Sequence, residues 1–195
     1  WNPNDFMAYR LRQGVYGQRQ PDSQMLRIKA PFGGINADQM DALGVLSKKY
    51  APLGKGHVTT RENFQFHHIP LADTPEIMRM IGDVGLSTRE ACGNTVRNVT
   101  GCPNAGVCEN EPFDVTPYAA AYARYFVRHP YTQSLPRKFK TSFSDCDDDC
   151  AISAIHDMGF IPKLRDGKKG FQMVTGGGTS IMPRIGQTLF EFVPV

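Results

Sequence analysis

Thr59-Thr60-Arg61-Glu62-Asn63-Phe64-Gln65-Phe66-His67 places an arginine in a polar turn ahead of a run in which Phe64, Phe66 and His68 alternate with Gln65 and His67. Alternation of that period puts one set of side chains into a core and the other on the opposite face, which is the pattern of a half-buried strand. Two later segments carry more positive charge. They are Thr95-Val96-Arg97-Asn98-Val99 and Pro136-Arg137-Lys138-Phe139-Lys140. Arg61, Arg97, Lys138 and Lys140 each fall at or beside an expected strand end, so a fold can gather them from distant segments into a cradle for an anion.

The elements around this stretch read as α+β. Gln24 to Lys29 alternates Leu26 and Ile28 with Arg27 and Lys29, as a short strand would. Asn36 caps a helix carrying Met40, Leu43 and Leu46 and ending near Lys48-Lys49 and Tyr50. His57 to Thr60 and Phe64 to Ile69 follow as strands, and Thr74-Pro75 opens a second helix running to Val84. This order suits half of a ferredoxin-like arrangement. Residues 1–18 carry a pattern too weak to type and are expected as an N-terminal extension, with the half-domain over 19–88 and a second module over 89–195.

In that second module Thr116-Pro117 starts a helix whose Tyr118, Tyr122, Tyr125 and Phe126 form an aromatic stripe expected in the core. Strands are expected over 138–144, 159–165 and 170–174. The last two are joined through Asp166-Gly167 by a somewhat longer loop, and Pro162 points to an edge strand.

The composition narrows the function. The chain has 195 residues, 22 basic and 19 acidic, for a net charge of +3. The charges are dispersed, which argues against a nucleic-acid surface, and any anion site must be local. No apolar run approaches the roughly 20 residues that span a bilayer, and the first residues have no signal-peptide pattern, so a cytoplasmic protein is expected. The five cysteines include two close pairs, Cys102-x5-Cys108 and Cys146-x3-Cys150, with Cys92 alone. Paired cysteines in a reducing compartment point to metal or cluster ligation before disulfides.

In order, the TTRENFQ stretch, Arg97-Asn98-Val99-Thr100-Gly101-Cys102-Pro103, Pro136-Arg137-Lys138-Phe139-Lys140 and the triplet Gly176-Gly177-Gly178 resemble the motifs of the siroheme-dependent sulfite and nitrite reductases. The resemblance runs from about Gly17 to the C-terminus. It implies a ferredoxin-like half-domain followed by the first part of a siroheme-binding α+β domain, matching the N-terminal half of such an enzyme. It also implies the six-electron reduction of sulfite to sulfide or nitrite to ammonia, with a ferredoxin or flavoprotein donor and a second, related half as partners. By the same resemblance Arg61, Arg97, Lys138 and Lys140 hold the substrate anion and the siroheme carboxylates; Thr59, Thr60, Asn63 and Gln65 are candidate neutral hydrogen-bonding partners for the macrocycle carboxylates, or else polar strand residues that face solvent. A non-catalytic siroheme-binding or assembly module, working with a second polypeptide, is the alternative.

The cysteines divide the reading further. Their spacing and the words around Cys102 resemble the family's 4Fe-4S segment, which in the family lies in the second half, whereas the lysine motif here belongs to the first. The expectation is therefore that Cys102, Cys108, Cys146 and Cys150 are a vestige and that a C-terminal half ligates the cluster. The acidic run Asp145 and Asp147 to Asp149 adds to that expectation, because like charge disfavours an anionic cluster. True ligation by the four cysteines is the other reading. Gly176 to Gly178 is read as backbone packing rather than a nucleotide site, and the five histidines as ordinary side chains.

Overall fold

A computed structural model describes residues 2–195 and divides them into two compact units. The first unit takes the described residues up to Ala30, then Gly34–Thr95 and Val127–Lys138; the second takes Pro31–Gly33, Val96–Phe126 and Phe139–Val195.

In the first unit α1 (Pro3–Arg12) leads into β1 (Val15–Gly17), β2 (Ser23–Lys29), α2 (Ala37–Lys49), β3 (His57–Val58), β4 (Asn63–Pro70) and α3 (Thr74–Asp83). The antiparallel sheet has the order β1-β2-β4-β3. Leu26, Ile28 and Phe66 point to one face, where Leu43 and Leu46 of α2 and Ile77 and Ile81 of α3 close a core. Arg27 and Gln65 are paired across β2 and β4 and take the other face. Asn36 caps α2 with a capping box to Gln39, as its sequence position requires. The segment before residue 19 is structured: Asn2 accepts from the Asn4 amide to start α1, and β1 pairs with β2. Trp1 lies outside the described residues.

The second unit contains β5 (Val96–Gly101), α4 (Thr116–Phe126), β6 (Phe139–Phe143), β7 (Met158–Arg165), β8 (Lys168–Thr175) and β9 (Gln187–Pro194). They form one sheet in the order β5-β6-β7-β8-β9, with β5, β6 and β7 parallel and the last two strands antiparallel. Its core joins Val99, Phe143 and Phe171 to Ala119 and Ala123 of α4. Phe143 stacks on Phe160 at 4.5 Å, and Phe171 meets both edge-on at 5.7 and 5.9 Å, geometries that aromatic quadrupoles favour.

Three expectations change here. Tyr118 and Tyr122 pack on this core, but Tyr125 is exposed, because the face of α4 toward the sheet is centred on Ala119 and Ala123. Pro162 does not mark an edge strand, since β7 lies between β6 and β8; its last partner in β6 is reached at Phe160, so Pro162 sits on an overhang where no amide is needed. Arg165 pairs directly with Lys168, leaving a two-residue turn in which Asp166 and Gly167 both have positive φ, 52° and 72°. Strand β9 was not anticipated.

Gly159 of β7 lies against the loop that follows β6. A Cβ there would come within 2.4 Å of the Ser153 Cβ and 3.0 Å of its Cα. Gly159→Ala is expected to destabilise the protein by about 1–3 kcal/mol through overpacking, measured by urea unfolding followed by far-ultraviolet circular dichroism.

Candidate functional site

In the second unit, parallel pairing of β5 and β6 ends at Gly101 opposite Phe143, so Cys102 and Ser144 leave the sheet side by side. The crevice beyond the C-terminal ends of adjacent parallel strands is where such folds place ligands. Cys102 and Cys108 fall in the segment after β5, and Cys146 and Cys150 in the segment after β6. Atoms from Cys108, Asp145 and Cys146 lie within 4.8 Å of one another. The Cys102 thiol faces the same Asp145 carboxylate and lies near enough to Cys150 to interact with it electrostatically.

Each loop is shaped from within. After β5, the amides of Val107 and Cys108 both donate to the Asn104 carbonyl at 3.0 Å, and the Asn104 amide donates to the Cys102 sulfur at 3.4 Å, which folds Cys108 back toward Cys102. After β6, Asp149 organises the turn by accepting from the Ser144 hydroxyl and from the Ser153 amide at 2.8 and 2.9 Å. Asp147 is paired with Lys163 at 2.5 Å. Two members of the acidic run thus have partners of their own, which weakens the electrostatic objection to an anionic cluster.

Asp145 is different. It is fully buried, it faces the thiols of Cys102 and Cys146, and neither oxygen has a hydrogen-bond partner of ordinary geometry. Burial, reinforced by Asp145, pushes the Cys102 thiol up to about 12, and burial pushes Cys146 up to about 12 with Asp145 and Cys108 adding to it. Cys108 and Cys146 are grouped with Asp145, and Cys102 lies against the same carboxylate; thiols are the donors of an iron-sulfur cluster, while the unpartnered Asp145 carboxylate among them is the charge that the vestige reading invoked.

The cationic residues divide between the units. In the second, Val96 pairs with Phe139 and the register then shifts, so that Arg97 and Asn98 together stand against Lys140 before Val99 meets Thr141; the Lys140 amide donates to Asp157 at 2.7 Å. In the first, Arg61 lies in the turn between β3 and β4, and Lys138 is exposed at the unit's last residue. That turn uses two of the residues expected to contact a macrocycle. The Thr59 hydroxyl accepts from the amides of Arg61 and Asn63 at 3.3 and 3.1 Å, and the buried Asn63 donates its amide to the Arg61 carbonyl at 3.0 Å. Both hold the shape of the turn. Thr60 is exposed.

Gln65 brings forward a residue that the sequence reading passed over. With its oxygen toward Arg27, it accepts from Nε and Nη2 of that arginine at 2.9 and 2.6 Å, while Nη1 donates to the Ala91 carbonyl at 3.1 Å. Arg27 is therefore a pre-organised cation on the face of the sheet opposite the helices. The alternation that identified β2 had already put it there. His67, two residues along from Gln65, is lowered from the ordinary histidine range by burial first and then by His57, His68 and Arg27. A run of donors and a neutral imidazole suits the carboxylates of an anionic macrocycle. The glycine triplet does not form an anion nest: the amides of Gly176, Gly177 and Gly178 donate to Asp157, His156 and Arg184, and a Cβ at Gly177 would meet the Ala154 oxygen at 2.3 Å.

Residues 92–195 match the nitrite and sulphite reductase 4Fe-4S domain, and residues 16–84 match the nitrite/sulfite reductase ferredoxin-like half domain. The chain is 33% identical to an assimilatory ferredoxin-dependent nitrite reductase of Haloferax mediterranei over 92% of its own length and 33% of the relative's. It is 34% identical to sulfite reductase [ferredoxin] 1 of Mycolicibacterium paratuberculosis, over 88% of this chain and 30% of that one. The structure of the Mycobacterium tuberculosis NirA protein superposes on all of this chain and on 38% of its own, with a TM-score of 0.91 and 30% identity. A dissimilatory sulfite reductase shares the fold at 12% identity and a TM-score of 0.75. The chain spans about a third of the length of the curated relatives it matches.

Reactivity tests the thiol geometry. In the metal-free protein at pH 8, iodoacetamide is expected to label the exposed Cys150 and half-buried Cys108 first and to spare Cys102 and Cys146, which are buried and held as thiols. Peptide mapping after short exposure reads the order directly.

Proposed function

Since the chain belongs to the nitrite and sulphite reductase family, we propose that it supplies the N-terminal half of a siroheme-dependent enzyme reducing sulfite to sulfide or nitrite to ammonia. The observation that carries this reading is the placement of Arg97 and Lys140 on adjacent parallel strands, both between the paired levels Val96 with Phe139 and Val99 with Thr141. These two cations are the anion-binding groups of the second unit, and Arg61 and Lys138 are those of the first. Within the first unit Arg27 and Gln65 are a pair already locked in geometry for macrocycle carboxylates, and Thr60 supplies a further hydroxyl donor. The arginines cannot lose their charge at ordinary pH, so they bind and orient the oxyanion. The lysines add point charge and can each hold and deliver a proton from Nζ as bonds to oxygen break. Siroheme, when bound, supplies the iron on which six-electron reduction takes place.

Cys102, Cys108, Cys146 and Cys150 are the residues of this chain that would hold a 4Fe-4S cluster, which supplies electrons one at a time. Asn104, through the Cys102 sulfur, and Asp149, through Ser144 and Ser153, set the two loops for it. The relatives carry ferredoxin in their names, so ferredoxin is the proposed donor, and a second, related half completes the enzyme. No described helix is long and apolar enough to cross a membrane, in keeping with the proposed cytoplasmic setting.

Lys140→Gln and Arg97→Gln in the cofactor-loaded enzyme test the assignment. Each is expected to lower sulfite or nitrite turnover by about 100-fold or more while the visible siroheme absorbance is retained. Unchanged turnover in both would remove these residues from the substrate site. Turnover absent from the unaltered enzyme, with siroheme bound, would instead favour a carrier or assembly module.

A further inference from the structure

Glu90 is 1% exposed and adopts a positive φ of 56°. Its amide donates to the Arg12 carbonyl at 2.7 Å, and its own carbonyl accepts from the Thr95 hydroxyl at 3.2 Å. Oε1 accepts from the backbone amide of Arg128 at 2.9 Å and from the Gln133 side chain at 3.0 Å, with Arg89 Nε at 3.7 Å. Oε2 has no hydrogen-bond partner. An acid with one oxygen left unsatisfied in the interior is a costly choice for packing alone.

The rest of that short stretch grips the same target. The Asn94 carbonyl accepts from the Leu135 amide at 2.8 Å, and its side chain donates to the Pro136 carbonyl at 3.4 Å. Gln133 turns its amide onto the His129 carbonyl at 3.1 Å as well, so the carboxylate of Glu90 closes a small knot in residues 128–133. All these groups lie in the first unit. The gripped segment contains only one short 3-10 turn, Pro130–Thr132, and its next residues are Arg137 and Lys138. The grip adds to the turn's own bonds, in which the amide and hydroxyl of Thr132 both donate to the His129 carbonyl at 3.1 Å.

We infer that Glu90 is a positioning residue: through the Arg128 amide and Gln133 it sets the course of residues 127–138, and thereby the ammonium of Lys138. This rests on the reading of Lys138 as an anion-binding group. Glutamine at position 90 keeps an oxygen for the Arg128 amide, whereas alanine removes it.

Two measurements test the inference. Hydrogen exchange on the unaltered chain and on Glu90→Ala should show amides 128–136 exchanging at least tenfold faster in the variant, with Glu90→Gln close to the original and Gln133→Ala in between. In the cofactor-loaded enzyme Glu90→Ala should raise KM for sulfite or nitrite about tenfold, and should add nothing further when Lys138 is already glutamine. Unchanged exchange in Glu90→Ala and Gln133→Ala would overturn the grip, and additive effects of the Glu90 and Lys138 substitutions would overturn the link to Lys138. If Glu90→Ala does not fold, Gln133→Ala carries both measurements. Lys138→Gln with unaltered kinetics would overturn the anion-binding reading itself, and hydrogen exchange would still decide the grip.

Discussion

Parallel pairing of β5 with β6 is the constraint on which the second unit depends. Residues far apart in the chain leave that pair at the same level, so Cys102 and Ser144 emerge as neighbours once Gly101 and Phe143 are in register. Everything in the crevice follows from this. Asn104 returns the first loop toward Cys102, Asp149 ties the second through two serines, and the fully buried Asp145 is left facing thiols. A slip of one residue in that pairing would reverse the faces of β6 and move Phe143 out of the aromatic core.

At the other end of the strands the register shifts by one residue, which puts Arg97 and Asn98 of β5 against Lys140 of β6. Cations and thiols are thus carried at opposite ends of one strand pair, with the core of Val99, Phe143 and Phe171 packed on it. In the first unit the antiparallel pair β2 and β4 does comparable work. Its helix-covered face holds the core, and its other face sets Arg27 against Gln65 in a two-point hydrogen bond. Such a guanidinium is oriented before any ligand arrives, which reduces the ordering cost of binding.

Much of this was legible in the residues. Alternation found β2 and β4, Asn36 and Thr74-Pro75 found the starts of α2 and α3, and the ordered motifs carried the family. What escaped depended on partners distant in sequence. Arg27 looked like an outward-facing strand residue until Gln65 was seen opposite it. Thr59 and Asn63 looked like ligand donors because nothing in sequence shows that a turn will use both. The charges near Cys150 looked hostile to a cluster because Lys163 and Ser153, which engage Asp147 and Asp149, come later in the chain. Exposed Leu189 and Phe190 on β9 lack the one-sided pattern by which a strand is recognised.

We propose that the crevice after β5 and β6 is a four-thiolate site. Its most direct test is the iron and acid-labile sulfide bound per chain after anaerobic reconstitution and desalting. The account predicts the content of a single 4Fe-4S cluster, lost together when Cys108 and Cys146 are replaced by serine. Iron without sulfide, or a content unaffected by those substitutions, would contradict it.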